Sequence, residues 1–306
     1  MLNMSKPNFF IIGAPKSGTT ALAHYLSEHP QVYFSKPKEL FYWADDHPRA
    51  RTRYNMFALD DYLRFFETAD STKHLAIGEG STNYLQSRTA VSHILKFNPA
   101  SKFIVLLRDP VEVAYGMHGE LLRHYFEDES NFEVAWALQQ RRASGEQIPP
   151  KAVMEHQLQY SDVIDYASQL SRLFALVPPE QRKVFLFDDF TSDTKRVYRD
   201  SVEFLGLTDD GRTDFPRVNP ARQYRSHLIG RFFQSPPAFI EPIMKRFRVW
   251  YASQSESLKE IVGKTLSREE PRFPLREEFK TELRNVFRPN VEAVEKLLHV
   301  NLAVWK

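Results

Sequence analysis

Apolar positions along the chain fall into short unbroken runs, each closed by turn-forming residues. Phe9-Phe10-Ile11-Ile12 leads into Gly13, and Phe103-Ile104-Val105-Leu106-Leu107 leads into Arg108-Asp109-Pro110. A short continuous apolar run predicts a strand buried on both faces. Val32–Phe34, Leu75–Ile77 and Lys183–Phe187 read as further strands. Helical patterns lie between them. Thr20 to Ser27 is closed by Glu28 and His29 and stopped by Pro30. Ser130 followed by Glu133 has the form of a capping box, predicting a helix to about Gly145. His156 to Leu176 reads as one long helix, and Val291, Val294, Leu297 and Leu298 mark a last one after Pro289. Strands alternating with helices predict an α/β domain with a mainly parallel sheet. Residues 208–240 have weak periodicity and many Pro, Gly, Arg and aromatic residues. The expectation is a single domain over residues 1–306, with 208–275 covering its cleft.

Composition narrows the function. Lys plus Arg total 41 against 39 Asp plus Glu, a net charge of +2, which argues against a dominant nucleic-acid-binding surface. Hydrophobic residues at 42% and charged ones at 26% are enough for a full core. The absence of cysteine excludes disulfides, thiolate metal sites and a cysteine nucleophile. No apolar run reaches the ~18 residues of a membrane span. Met1 to Asn8 lacks the apolar stretch of a secretory signal, so a cytoplasmic protein is expected.

The chemistry concentrates after the first strand. Gly13-Ala-Pro-Lys16-Ser17-Gly18-Thr19-Thr20 joins that strand to the first helix. Backbone N–H groups in such a turn, with the helix N-terminus behind them, form an anion cradle. Gly13 and Gly18 keep the spacing of the nucleotide-triphosphate loop, but Thr19 stands where that loop has its lysine. The cation is Lys16 instead, which argues against an ATPase or GTPase. Thr19 and Thr20 can offer hydroxyls to phosphate oxygens.

Together with Gln31-Val-Tyr-Phe-Ser-Lys-Pro-Lys-Glu39-Leu-Phe-Tyr-Trp43 and Lys102-Phe-Ile-Val-Leu-Leu-Arg-Asp-Pro110, this loop resembles the sulfotransferases that use 3′-phosphoadenosine 5′-phosphosulfate (PAPS). Pro15 to Thr20 looks like their 5′-phosphosulfate loop, and Lys102 to Pro110 like their 3′-phosphate segment. The Lys-Glu-aromatic stretch is similar to the heparan-sulfate branch more than to the small-phenol and steroid branch, and many bacterial members share it. The resemblance covers roughly the whole chain, most firmly residues 8–120. It implies a P-loop-containing nucleotide-binding α/β fold.

It also implies roles. Lys16 would contact the bridging oxygen and 5′-phosphate, with Ser17, Gly18, Thr19 and Thr20 completing the cradle. Glu39 would be the general base for the acceptor, partly desolvated by Phe41, Tyr42 and Trp43. Arg108, at the carboxyl end of a strand, would grip the 3′-phosphate. A serine belongs eight residues on, and this chain has Gly116 there, so the 3′-phosphate site loses a hydroxyl. Asp109 would orient Arg108 or cap the next helix. His118, on that helix, is a second acid–base candidate. In Gly78-Glu-Gly-Ser-Thr-Asn-Tyr84, the heparan-sulfate branch has a lysine where Gly80 stands. Ser81 or Tyr84 would still line the acceptor cleft. Arg225, ahead of Arg222, would fold over the 3′-phosphate and adenine, and Tyr160 or Tyr166 could stack on the base, although core packing is the stronger reading for both.

The implied reaction is in-line sulfuryl transfer to a hydroxyl or amine of a small-molecule, lipid or carbohydrate acceptor. It releases adenosine 3′,5′-bisphosphate (PAP) and requires no metal. A nucleotide kinase on the same sheet, and a non-catalytic adenine-nucleotide-binding protein, are the competing readings.

Overall fold

The structure is a computed structural model that describes residues 6–47, 54, 56–217, 222–224, 240, 243, 244, 246, 247, 250, 251, 254, 267–269 and 274–306. Its centre is a five-stranded sheet of β1 (Phe9–Gly13), β2 (Val32–Phe34), β3 (Ala76–Gly80), β4 (Lys102–Leu107) and β5 (Arg182–Leu186), in the order β2-β3-β1-β4-β5. All four pairings are parallel. Consecutive side chains of a strand point to opposite faces. Phe10 and Ile12 therefore enter one apolar cluster, and Phe9 and Ile11 the other. This explains why β1 shows no polar alternation: each face is covered.

Among the described residues, two long helices contribute most to the cover of the Phe9 face, with Phe190 of the short Phe187–Ser192 helix added to them. The two long helices are α1 (Thr19–Ser27), through Leu22 and Leu26, and α10 (Thr194–Leu205), through Val197, Tyr198 and Val202. Between them in the chain lie α2 (Leu59–Leu63), α3 (Ala90–Phe97), α4 (Pro110–Arg123), α5 (Phe132–Ala137), α6 (Gln139–Ala143), α7 (Tyr160–Val163), α8 (Tyr166–Leu176) and α9 (Phe187–Ser192). The Phe10 face is covered by α3, α4, α7, α8 and α11 (Glu277–Leu298). A short antiparallel pair, β6 (Arg222–Tyr224) and β7 (Ser267–Glu269), lies in the expected covering segment.

Three helix boundaries differ from the sequence reading. The cap before α5 is Asn131, one residue after Ser130. Its Oδ1 accepts the N–H groups of Glu133 at 2.9 Å and Val134 at 3.4 Å. The Glu133 carboxylate is engaged by Arg276 at 2.7 Å. The 156–176 stretch is not one helix. A 3₁₀ turn at Glu155–Leu158 and α7 precede α8, because Asp165 caps a new start by accepting the Ser168 N–H at 3.3 Å. Pro289 does not begin the last helix but lies inside α11. Phe279, Leu283 and Phe287 before it, and Val291 and Val294 after it, are all buried. That continuous apolar stripe outweighs the lost backbone bond.

A buried ion pair ties the α4–α5 connection to α6. Arg142 donates to both oxygens of Glu127 at 2.6 and 2.7 Å, and both side chains are essentially inaccessible. Tyr160 adds a third bond at 2.7 Å, and the N–H groups of Asp128 and Glu129 add two at 2.9 Å. Burial alone would raise the Glu127 pKa, but Arg142 and these donors hold it below the usual carboxylate value. A depressed folded pKa contributes stability above the unfolded value, lost as pH falls through the folded one. Arg142→Met should cost about 3–5 kcal/mol by leaving an uncompensated charge. Urea unfolding at neutral pH checks this, and the deficit should shrink on acidification below the carboxylate range.

Candidate active site

In a parallel sheet every strand delivers its following loop to the same edge, and here the chain leaves β1 for β2 on one side, while the connection after β3 crosses to β4 on the other. Such a switch point opens a crevice at the carboxyl ends. The loop after β1 is pinned there by two bonds. The Ala14 N–H donates to the Leu106 carbonyl at 2.6 Å, and the Leu85 N–H to the Ile12 carbonyl at 2.8 Å. Gly18, at φ 85°, turns the chain into α1, and no side chain caps that helix. A glycine is needed there, because its Cβ would also meet the rings of Phe190 and Phe187 at 3.0 and 3.1 Å. Ser17 and Thr19 are buried and Thr20 is exposed. The Ser17 hydroxyl donates to the Pro15 carbonyl at 3.2 Å.

Lys16 itself is left-handed, at φ 58°. Its ammonium lies 3.3 Å from Glu120 Oε2, on α4. Glu120 also binds Arg123 and, at 3.0 Å, His124. Burial alone would raise its pKa, but His124, Arg123 and Lys16 hold it well below the usual value. The sequence reading missed Glu120, because one carboxylate on a charged helix has no signature until the fold sets it opposite Lys16. Arg108 follows β4. It donates to the Lys16 carbonyl at 3.2 Å and to Glu112 at 3.1 Å, and its guanidinium lies 4.6 Å from the Phe187 ring centre. Lys16 and Arg108 are thus parts of one group. Asp109 caps α4, accepting the Val111 N–H at 2.8 Å, as its sequence position suggested. Gly116 is buried in α4.

Glu39 follows β2 on a loop laid against the end of β3. Its N–H donates to the Gly80 carbonyl at 2.8 Å. Its Oε2 accepts the Thr82 N–H at 2.9 Å, the Thr82 hydroxyl lies 3.3 Å from both carboxylate oxygens, and Lys38 binds Oε1. Thr82, the partner of Glu39, lines one small cavity together with Asn83, Gln157 and Pro15, the residue before Lys16. The glycine at position 80 has a local consequence. A Cβ there would lie 3.1 Å from Lys38 Cε, so the Lys38 stem occupies the room that a side chain at 80 would need.

Several expectations are corrected. Ser81 and Tyr84 do not line an open cleft, since both are fully buried behind the Glu39 loop. Tyr160 and Tyr166 are fully buried, as the core-packing reading has it, which removes them as surfaces for an adenine ring. Phe41, Tyr42 and Trp43 turn into the core, with Tyr42 stacked on Tyr62 at 4.7 Å between ring centres. His118 is 2% exposed, packed against Phe132 and Tyr160, and its Nε2 lies 2.7 Å from the Glu129 carbonyl. A carbonyl only accepts, so Nε2 carries the proton and is spent on that bond. Burial pushes the His118 pKa down. Arg225 lies outside the described residues; Arg222 opens β6.

Comparison with known proteins gives the family and the fold. The model of the Sulfotransferase family matches residues 7–211. The chain belongs to the sulfotransferase family. A crystal structure of a sulfotransferase from Alicyclobacillus acidocaldarius superposes with a TM-score of 0.69 at 25% identity, covering 98% of this chain and 99% of that one. Human bifunctional heparan sulfate N-deacetylase/N-sulfotransferase 3 is 25% identical over 295 residues, 96% of this chain. Mouse carbohydrate sulfotransferase 15 is 24% identical over 258 residues, 66% of this chain. The chain spans only 30% of the length of the first of these relatives and 44% of the second. In this sulfotransferase the candidate groups Lys16, Glu39 and Arg108 all follow strands at one edge of the parallel sheet. Among the described residues no group of three or more His, Asp or Glu is placed to hold a metal ion, and no helix is long and apolar enough to cross a membrane.

Proposed function

We propose that this sulfotransferase moves a sulfuryl group from PAPS to a hydroxyl or amine acceptor by in-line displacement. The observation that carries the reading is the bond between Arg108 and the Lys16 carbonyl, which puts two cations and an uncapped helix N-terminus in one place. That donor set fits a ligand with phosphate groups at two ends. In this reading residues 13–20 are a variant P-loop. Lys16 and the amides of the loop neutralise charge on a leaving 5′-phosphate, and Arg108 grips the 3′-phosphate. PAPS, when bound, supplies the activated sulfuryl group.

Lys16 changes partner in the course of this. Before a ligand arrives its charge is met by Glu120, and Arg123 and His124 remain to hold Glu120 when Lys16 turns to phosphate. Glu39 takes the acceptor's proton as the new bond to sulfur forms. Thr82 orients its carboxylate, and Lys38 balances its charge. His118 takes no part in proton transfer in this scheme. The same proposal treats residues 1–306 as one domain, with 208–275 over the cleft and Arg225 among the 3′-phosphate contacts, in a cytoplasmic protein.

Three measurements test it. Calorimetry should show adenosine 3′,5′-bisphosphate binding more tightly than ATP. Arg108→Ala should weaken it by about 1.5–3 kcal/mol, the scale of hydrogen bonds to a charged group, while adenosine 5′-phosphate is little affected. Equal binding of ATP would instead favour a phosphoryl transferase. Gly116→Ser should tighten binding within about 0.5–3 kcal/mol by supplying a hydroxyl to the 3′-phosphate, and a loss of affinity would show that the buried position has no room. Sulfur-35 transfer from PAPS to heparosan, N-deacetylated heparosan, chondroitin, a steroid alcohol and 4-nitrophenol identifies the acceptor class. With an alcohol acceptor, Glu39→Gln should lower turnover roughly 10²–10⁴-fold at near-normal nucleotide affinity. His118→Ala should cost far less, and the reverse order would reassign the base.

A further inference from the structure

Glu79, at the carboxyl end of β3, is fully buried, and no ion pair reaches it among the described residues. Hydroxyls surround it instead. Ser81 Oγ donates to its Oε1, the Tyr62 hydroxyl donates to its Oε2 at 3.3 Å, and the Tyr84 hydroxyl is a third partner. Two of these hydroxyls also hold the neighbouring loop. Ser81 Oγ accepts the Phe41 N–H at 2.9 Å, and the Tyr84 hydroxyl accepts the Trp43 N–H at 3.2 Å. A backbone N–H can only donate, so each hydroxyl turns a lone pair to the loop and its proton to Glu79. An ionised carboxylate only accepts, so Glu79 sets the direction of both relays. The loop held in this way carries Glu39. Glu39 and Phe41 are both left-handed, at φ 67° and 60°, a conformation that non-glycine residues keep only where surrounding contacts over-determine it.

We propose that Glu79 is a positioning residue for Glu39, fixing the left-handed turn of the 39–43 loop through Ser81 and Tyr84. Its consequence for turnover rests on the reading of Glu39 as the base, while its hold on the loop does not. The titratable groups facing Glu79 are Glu39 from the loop, Tyr62 from α2 and Tyr84 from the turn after β3, with Lys38 on Glu39. Burial pushes the Glu79 carboxyl up to about 7; its three hydroxyl partners oppose that rise and the charge of Glu39 adds to it. Once protonated, Glu79 is a donor as well, one hydroxyl loses its acceptor, and the relay loosens. Acidification through about pH 7 therefore weakens the loop's hold, even though proton uptake by a group of raised pKa favours the folded state.

Amide hydrogen exchange in the full chain reads this directly, with rates corrected for intrinsic pH dependence. In the wild type, protection of the Phe41 and Trp43 amides should fall from about pH 8 to about pH 6. In Glu79→Gln it should be lower by about tenfold or more and no longer vary with pH, while β4 amides keep theirs. Unchanged protection at Phe41 and Trp43, or an equal loss through β4, overturns the proposal. Ser81→Ala cuts one relay and leaves the carboxylate, so it covers the case in which Glu79→Gln does not fold. It should expose Phe41 and spare Trp43, and protection lost at neither contradicts the relay. With the best acceptor of the transfer panel, Glu79→Gln should slow turnover by up to about 10²-fold at unchanged PAP affinity, and add nothing to Glu39→Gln. If Glu39→Gln itself keeps turnover, the base reading falls and the exchange data alone decide the hold on the loop.

Discussion

The arrangement depends on the parallel sheet and on the place of β1 within it. Because all five strands run the same way, the loops after β1, β2, β3 and β4 emerge along one edge. Because β1 lies between β3 and β4, the loop holding Lys16 is flanked by Thr82 on one side and Arg108 on the other. Residues far apart in the chain thus become one constellation. The apolar clusters on both faces make the sheet rigid enough to keep it so.

Two buried carboxylates show how surroundings divide labour within one fold. Glu127 meets a guanidinium that matches its two oxygens, with a tyrosine and two backbone amides completing the shell, and it stays charged. It lies between helices, and its effect is to hold them. Glu79 is just as buried but meets hydroxyls, and its carboxyl is pushed up to about 7. Hydroxyls can accept and donate at once, so they pass the carboxylate's demand for protons outward to the backbone of the Glu39 loop. A guanidinium, which only donates, cannot do this.

The cations around Lys16 follow a related logic. Glu120 is shared among Lys16, Arg123 and His124. A carboxylate with three partners can give one up without being left unpaired. An anion entering the loop therefore displaces a contact that the rest of the cluster can absorb. Lys38 similarly takes the room over Gly80, which keeps a cation at Glu39 although β3 itself provides none.

The amino-acid sequence by itself determined the sheet, because an unbroken apolar run has one stable fate in water, a strand covered on both sides. It also determined the loop, because Gly13, Lys16 and Gly18 are read at short range, and the cap at Asp109, which reaches only two residues ahead. Helix ends were less legible. Ser130 and Asn131 are both cap residues, and the choice fell to Asn131 while Glu133 was taken by Arg276, 143 residues away. Only the tertiary structure decided what surrounds the site. Tyr84, Tyr160 and Tyr166 look like ligand-facing aromatics in a list of residues, but all three are core. His118 has the right chemistry for catalysis, but its nitrogen is committed to the Glu129 carbonyl. Glu120 carries no motif, and Glu79 lies in the Gly78–Tyr84 stretch without a role legible there, since what distinguishes both is burial and partners from other elements. Local spacing governs contacts within a few residues; desolvation and long-range hydrogen bonding exist only once the sheet has brought distant segments together.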